Sequence, residues 1–179
     1  IKKRNGKIKK SIIRSSKSSR FSNIISENLY LRNNYSKKLF KRIKKSKLDS
    51  VNKYKYSGLF FFYVPLLVEK ITGLTFEEYF RKNIINKKNI TLLFNPKNSF
   101  NKEFIVPTEY DSIFRKNLVH GYVHDEAASF MGGVSGNAGL FGNAESIGIL
   151  LNDLTPSSSV FKESTIQKFT SYAYKNSSI

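Results

Sequence analysis

Cysteine is absent from this chain, which removes disulfide frameworks, thiolate nucleophiles and Cys-based metal sites at once. Histidine occurs only twice, as His120 and His124, so an all-histidine metal cage is excluded. The longest apolar run, residues 59–68, is about half the roughly 20 residues that a bilayer demands, so no membrane span is expected. The chain starts at Ile1 with no charged-then-apolar leader or small-residue cleavage site, which reads as the interior of something longer. What is present is still a globular composition. The 179 residues are 40% apolar and 14% aromatic, too aromatic for a disordered chain and long enough for one buried core.

Acidic residues are scarce in one place only. Residues 1–55 hold 19 Lys and Arg against Glu27 and Asp49, whereas residues 56–179 hold 12 bases against 11 acids. The net charge of +18 therefore belongs to the first third. Two explanations stand. One is an electrostatic footprint for nucleic acid or an anionic surface. The other is codon bias, because Lys, Asn, Ile and Phe are all abundant. Aromatics are sparse among the lysines and offer no stacking platform, so nucleic acid is not the expected partner.

Local signals outline a mostly helical chain with long connections. Residues 1–26 read as extended or irregular, ending in the Ser-rich "SSKSSRFSN". Leu39, Phe40 and Ile43 keep helical spacing among lysines and predict an amphipathic helix over 35–48. "SGLFFFYVPLLVEKITG", residues 57–73, predicts a buried helix broken or kinked near Pro65 and closed by Gly73. Thr75 with Glu78 three residues later is a capping box opening a helix over "FEEYFRKNII". Residues 86–107 read as loop with one short strand at "NITLLF", and further helices are expected from 143 or 144 to 154 and over 163–172.

Five glycines, at 132, 133, 136, 139 and 142, lie within eleven residues just before a helix. A phosphate cradle of the P-loop kind needs Lys then Ser or Thr after the last glycine, and here Asn143 and Ala144 follow. The G-x-G of a dinucleotide fingerprint is missing too. The glycines instead predict positive φ and close backbone approach in a tight turn. His120 and His124 are spaced as metal ligands on a helix face would be, with Asp125 and Glu126 beside them. Gly121 and Val123 weaken that helix and H-E-x-x-H is absent, so a His124 bonded to backbone is the expectation, with no metal and no cofactor. Asp111, Asp125 and Glu126 are candidates for a carboxylate pair whose separation the sequence does not fix.

Residues 105–151, "IVPTEYDSIFRKNLVHGYVHDEAASFMGGVSGNAGLFGNAESIGILL", resemble a stretch of the serine β-lactamase-like and penicillin-binding-protein-like hydrolases. The nearest resemblance is to the domain of that type fused behind a family 3 glycoside hydrolase of β-N-acetylglucosaminidase kind. Such domains carry a similar "PTExDxxFR", "VHDexAA" and "GGVxGHAGLF". Upstream, "ENLYL" and residues 54–73 resemble the same family's lead-in and its tyrosine-bearing helix start.

That resemblance implies an α+β fold, an antiparallel sheet flanked by a mostly helical subdomain. Residues 1–179 would form part of one such domain, with 1–55 as a basic lead-in and 56–179 as helical scaffold around the glycine turn 132–142. It also implies acyl transfer at a serine, on a small-molecule or peptidoglycan-derived substrate, in the periplasm or cell envelope. The family's S-x-x-K provides the serine and a lysine one helical turn away that relays its proton. Tyr56 matches the tyrosine of the second element and is the proton-relay candidate, but Gly58 stands where that element has Asn or Asp. Asn137 replaces the histidine of "GHAGLF". S-x-x-K occurs at Ser50–Lys53, Ser99–Lys102 and Ser159–Lys162, but 23 serines and 24 lysines produce such matches by chance. By the resemblance the true S-x-x-K lies upstream and the third element, Lys- or His-x-Gly, downstream. The chain alone is then expected to be catalytically silent. Two alternatives remain: a basic binding module for nucleic acid or anionic wall polymer, and a degraded remnant of the fusion.

Overall fold

A computed structural model describes residues 9–47, 56–155 and 160–172. The basic first third is ordered by three short strands, β1 (Ile13–Arg14), β2 (Asn23–Ser26) and β3 (Leu29–Leu31), in the antiparallel order β1-β3-β2. The extended alternative read from the sequence thus holds for parts of residues 9–26, although no individual strand could be placed there. Strands of two to four residues are too short to display an alternating pattern. The β2–β3 turn uses Asn28 at φ 55°, a left-handed conformation that asparagine tolerates. Asn33 pins the Ser-rich segment: its Oδ1 accepts from the Ser22 amide (2.8 Å) and its Nδ2 donates to the Ser19 carbonyl (2.9 Å). Ile13, Ile25 and Leu31 point inward, and α1 (Tyr35–Lys44) adds Tyr35 to them. The helix ends at Lys44, four residues before the expected bound; Leu48 lies outside the described residues.

The long apolar run behaves differently from its prediction. Phe60–Tyr63 form a 3-10 turn that leads into α2 (Val64–Thr72). Pro65 stands in the first turn of α2, where its missing N–H has no acceptor to lose; the expected break lies there, at the change from 3-10 turn to α-helix between Tyr63 and Val64. Only Phe62 and Pro65 of this run are buried, while Phe60 is 64% and Ile71 81% exposed. Gly73 closes α2 in the left-handed region at φ 71°, as expected. The Thr75–Glu78 capping box is complete: the Thr75 hydroxyl accepts from the Glu78 amide, and the Glu78 carboxylate accepts from the Thr75 amide. It opens α3 (Phe76–Phe80), which continues through a π turn over Arg81–Ile85 into α4 (Asn86–Lys88).

Beyond α4 come β4 (Leu92–Phe94) at the expected "NITLLF" site, then β5 (Glu109–Asp111) and β6 (Asn117–Val119) as an antiparallel pair. A short α5 (Glu126–Ser129) precedes the glycine turn, and β7 (Leu140–Gly142) pairs antiparallel with β4. Asn143 then caps α6 (Ala144–Asn152), and α7 (Glu163–Thr170) follows. With helix at 41% and strand at 15%, the structure mixes both classes, compatible with α+β. The principal core joins distant segments: Ile13, Ile25, Leu31 and Tyr35 close on Phe114 and Phe130, whose rings meet edge-on at 5.4 Å.

Candidate functional site

The "PTEYDSIFR" segment is built around one buried ion pair. Asp111, at the end of β5, accepts the amides of Ile113 (3.0 Å), Phe114 (2.7 Å) and Arg115 (3.0 Å). Arg115, also buried, donates to Asp111 Oδ2 (3.4 Å) and to the carbonyls of Val123 (2.8 Å), His124 (3.0 Å) and Ile25 (3.4 Å). Burial alone would raise the Asp111 pKa. The three amides and the neighbouring guanidinium outweigh it and hold the carboxyl below its ordinary value. This cluster ties β2 to the loop that carries Asp125. Asp125 in turn caps α5 by accepting the Ala128 amide (2.6 Å). Of the three candidate carboxylates, Asp111 and Asp125 thus each hold a local turn through backbone amides, and Glu126 opens α5.

The glycine turn positions the opposite wall. Gly139, at φ 115°, lies so close to the Gly133 carbonyl that a side chain would collide with it. Gly136 lies equally close to the carbonyl of Phe61 and the side chain of Val64. The glycines thus do what the spacing predicted, allowing positive φ and close backbone approach. The turn also contains a strand, β7, which no sequence signal marked, because its pairing partner β4 is some 50 residues away.

Between these walls is a cleft of about 570 Å³. Tyr56, Ser57, Gly58 and Phe62 line one side; Asp125, Gly136 and Asn137 line the other. The structure therefore brings together Tyr56, Gly58 and Asn137, three residues that the sequence reading singled out by resemblance. A Cβ on Gly58 would stand 3.9 Å from that of Asn137, in ordinary contact. Tyr56 is 88% exposed, and Ser57 accepts the Leu59 amide at its hydroxyl (3.3 Å). A second, wider cleft of about 1130 Å³ shares Asp125 with the first and has mainly apolar walls, among them Phe100, Phe104, Val106 and Phe141.

The remaining candidates fall elsewhere. His120, not His124, is the histidine bonded to backbone, through Nε2 to the Ile105 carbonyl. His124 faces Glu109 at 3.4 Å near the surface, and its carbonyl serves Arg115. Gly121 between the two histidines adopts φ 74°, which ends any shared helical face. Among the described residues no three His, Cys, Asp or Glu side chains group as a metal site. Of the S-x-x-K matches, Ser50–Lys53 and Ser159 lie outside the described residues. Lys102 of the Ser99–Lys102 match is paired with Glu27 at 2.9 Å and does not line the small cleft. Arg115 was missed as an organising residue; its partner carbonyls are invisible in a sequence, though a lone Arg four residues after an Asp was a usable sign.

The chain is similar to proteins named "Putative D-alanyl-D-alanine carboxypeptidase". The one from Escherichia coli (strain K12) is 31% identical, over 66% of this chain and 32% of its own length. That from Salmonella agona (strain SL483) is 27% identical over 79% and 39%, and that from Salmonella enteritidis PT4 (strain P125109) is 26% identical over 80% and 40%. The chain thus spans between a third and two fifths of the length of these carboxypeptidase relatives. No family model and no solved structure matches it. Among the described residues no helix is long and apolar enough to cross a membrane.

Proposed function

We propose that this chain is part of a serine acyl-transfer enzyme of the DD-peptidase kind, acting on D-alanyl-D-alanine ends of peptidoglycan stems in the cell envelope. The observation that carries the reading is the small cleft, where the one sequence element assigned to catalysis, Tyr56 to Gly58, meets the glycine turn. The likeness to carboxypeptidase relatives supports the substrate class. In this reaction a serine hydroxyl adds to the amide carbonyl, the tyrosine hands the proton of that hydroxyl to the leaving amine, and N–H donors hold the oxyanion. Tyr56 is the proton-relay residue of this reading. Among the described residues no S-x-x-K serine and lysine line the cleft, and in this reading the chain alone binds peptide without turning it over. Fusion behind a family 3 glycoside hydrolase belongs to the same reading, and the coding sequence upstream tests it.

The test is exposure of the purified chain to a fluorescent penicillin, together with titration of N-acetyl-D-alanyl-D-alanine. The expected result is reversible dipeptide binding with no covalent label. A penicilloyl adduct on any serine of this chain would overturn the silence, and absence of dipeptide binding would overturn the peptide site.

A second reading is favoured by the charge. Thirteen Lys and Arg lie within residues 9–47, all at least partly exposed, against Glu27 alone, which is committed to Lys97 and Lys102. Such a surface fits an anionic polymer. Co-sedimentation with teichoic acid at two salt concentrations tests it, and binding that does not weaken steeply with salt removes it.

A further inference from the structure

Asn137 is the polar side chain of the glycine turn that lines the small cleft, and its surroundings are built. Gly136 has no side chain, so residues 135–137 lie against the Phe61 carbonyl and Val64, which fixes the turn to the start of α2. Ser135 is buried (3% exposed), and its hydroxyl donates to Asn137 Oδ1 at 2.7 Å. That bond uses the carbonyl end of the amide and leaves the NH2 end for the cleft. Opposite, Gly58 contributes no side chain that could compete for the amide, and Tyr56 and Ser57 stand on the same wall.

We propose that Asn137 is a ligand-recognition residue, whose amide NH2 donates to a peptide carbonyl or terminal carboxylate held beside Tyr56, with Ser135 as its positioning residue. The two places where this sequence departs from the family pattern are then one coupled feature: the empty space at Gly58 is the room in which the Asn137 amide and the ligand meet. This inference rests on the reading of the cleft as a peptide site and adds which residue recognises the ligand. The chemistry required of the ligand is an acceptor oxygen flanked by small groups, since the space left by a missing side chain is shallow.

The experiment is a proton–nitrogen correlation titration of the full chain with N-acetyl-D-alanyl-D-alanine, following the Asn137 side-chain NH2 pair and the backbone amides of residues 56–58. These signals are expected to move together and saturate. Asn137→Ala is expected to weaken binding about tenfold, and Ser135→Ala about threefold, with the remaining backbone spectrum unchanged. Asn137→Asp keeps the shape but removes the donor, and it is expected to bind no better than Asn137→Ala. Saturable movement of the 56–58 amides with a stationary Asn137 NH2 pair, or Asn137→Ala binding within twofold, overturns the inference and leaves the peptide site standing. Absence of any saturable shift in the cleft overturns the peptide site and this inference with it.

Discussion

Replacing Asp111 by alanine strips the counter-charge from Arg115, whose side chain is 0% exposed. Three backbone amides, those of Ile113, Phe114 and Arg115, lose their acceptor in the same step. Breaking a buried ion pair from one side costs about 3–5 kcal/mol, because the other charge stays behind unpaired. A domain of this size holds only about 5–15 kcal/mol in total, so the variant is expected to stand near the edge of folding. Urea unfolding followed by circular dichroism measures this directly, with the midpoint falling and the slope unchanged. Arg115→Met is expected to cost less, because Asp111 keeps its three amides and only the carbonyls of Val123, His124 and Ile25 lose a donor. The double variant should then be less damaged than the sum of the two. A loss below about 1 kcal/mol for Asp111→Ala, at unchanged slope, would refute the reasoning, since the guanidinium would then be satisfied without its carboxylate.

Three further outcomes follow from the structure. The folded-state pKa of Asp111 lies below its unfolded value of about 3.9, so its ionised form contributes stability that is complete above that pH and lost as pH falls through the folded value. The acid limb of the unfolding midpoint should be flatter in Asp111→Asn, and an unchanged limb would assign the acid sensitivity elsewhere. Gly136→Ala forces a methyl against the Phe61 carbonyl and should cost about 1–3 kcal/mol by thermal melting, whereas Gly148→Ala, in α6 with open space around it, should gain about 0.5–1 kcal/mol.

What could be read from the sequence was what neighbours in the chain decide. The Thr75–Glu78 box, the closing Gly73 and the start of α6 at Ala144 each need only a few adjacent residues, and each formed where expected. The strands were different. β1, β2 and β3 are too short to alternate, and β7 exists because β4 lies beside it. Burial of residues 59–68 was overestimated for a related reason: apolar content predicts that a face will seek cover, not which described residues supply it. The site was legible in part. Tyr56, Gly58 and Asn137 could be singled out one by one, but nearly 80 residues separate Gly58 from Asn137, and only the fold shows them facing one another. The backbone bond expected of His124 is made by His120, because their spacing says nothing about which ring meets a carbonyl.

The bond from Arg115 to the Ile25 carbonyl spans 90 residues, and it sets an order of events during synthesis. The sheet of β1 to β3 leaves the ribosome first, but Phe114, Arg115 and Phe130, which complete its core, follow much later. At translation rates of about 5–20 residues per second the wait is roughly 5–20 seconds. Throughout it Ile13, Ile25 and Leu31 have only nearby side chains such as Tyr35 and Leu39 to close upon, and long-range closure is intrinsically slow. The same segment carries thirteen positive charges, whose mutual repulsion opposes association between two such nascent chains. The basic first third is in this sense its own holding device, keeping apart strands that must wait for an arginine not yet made.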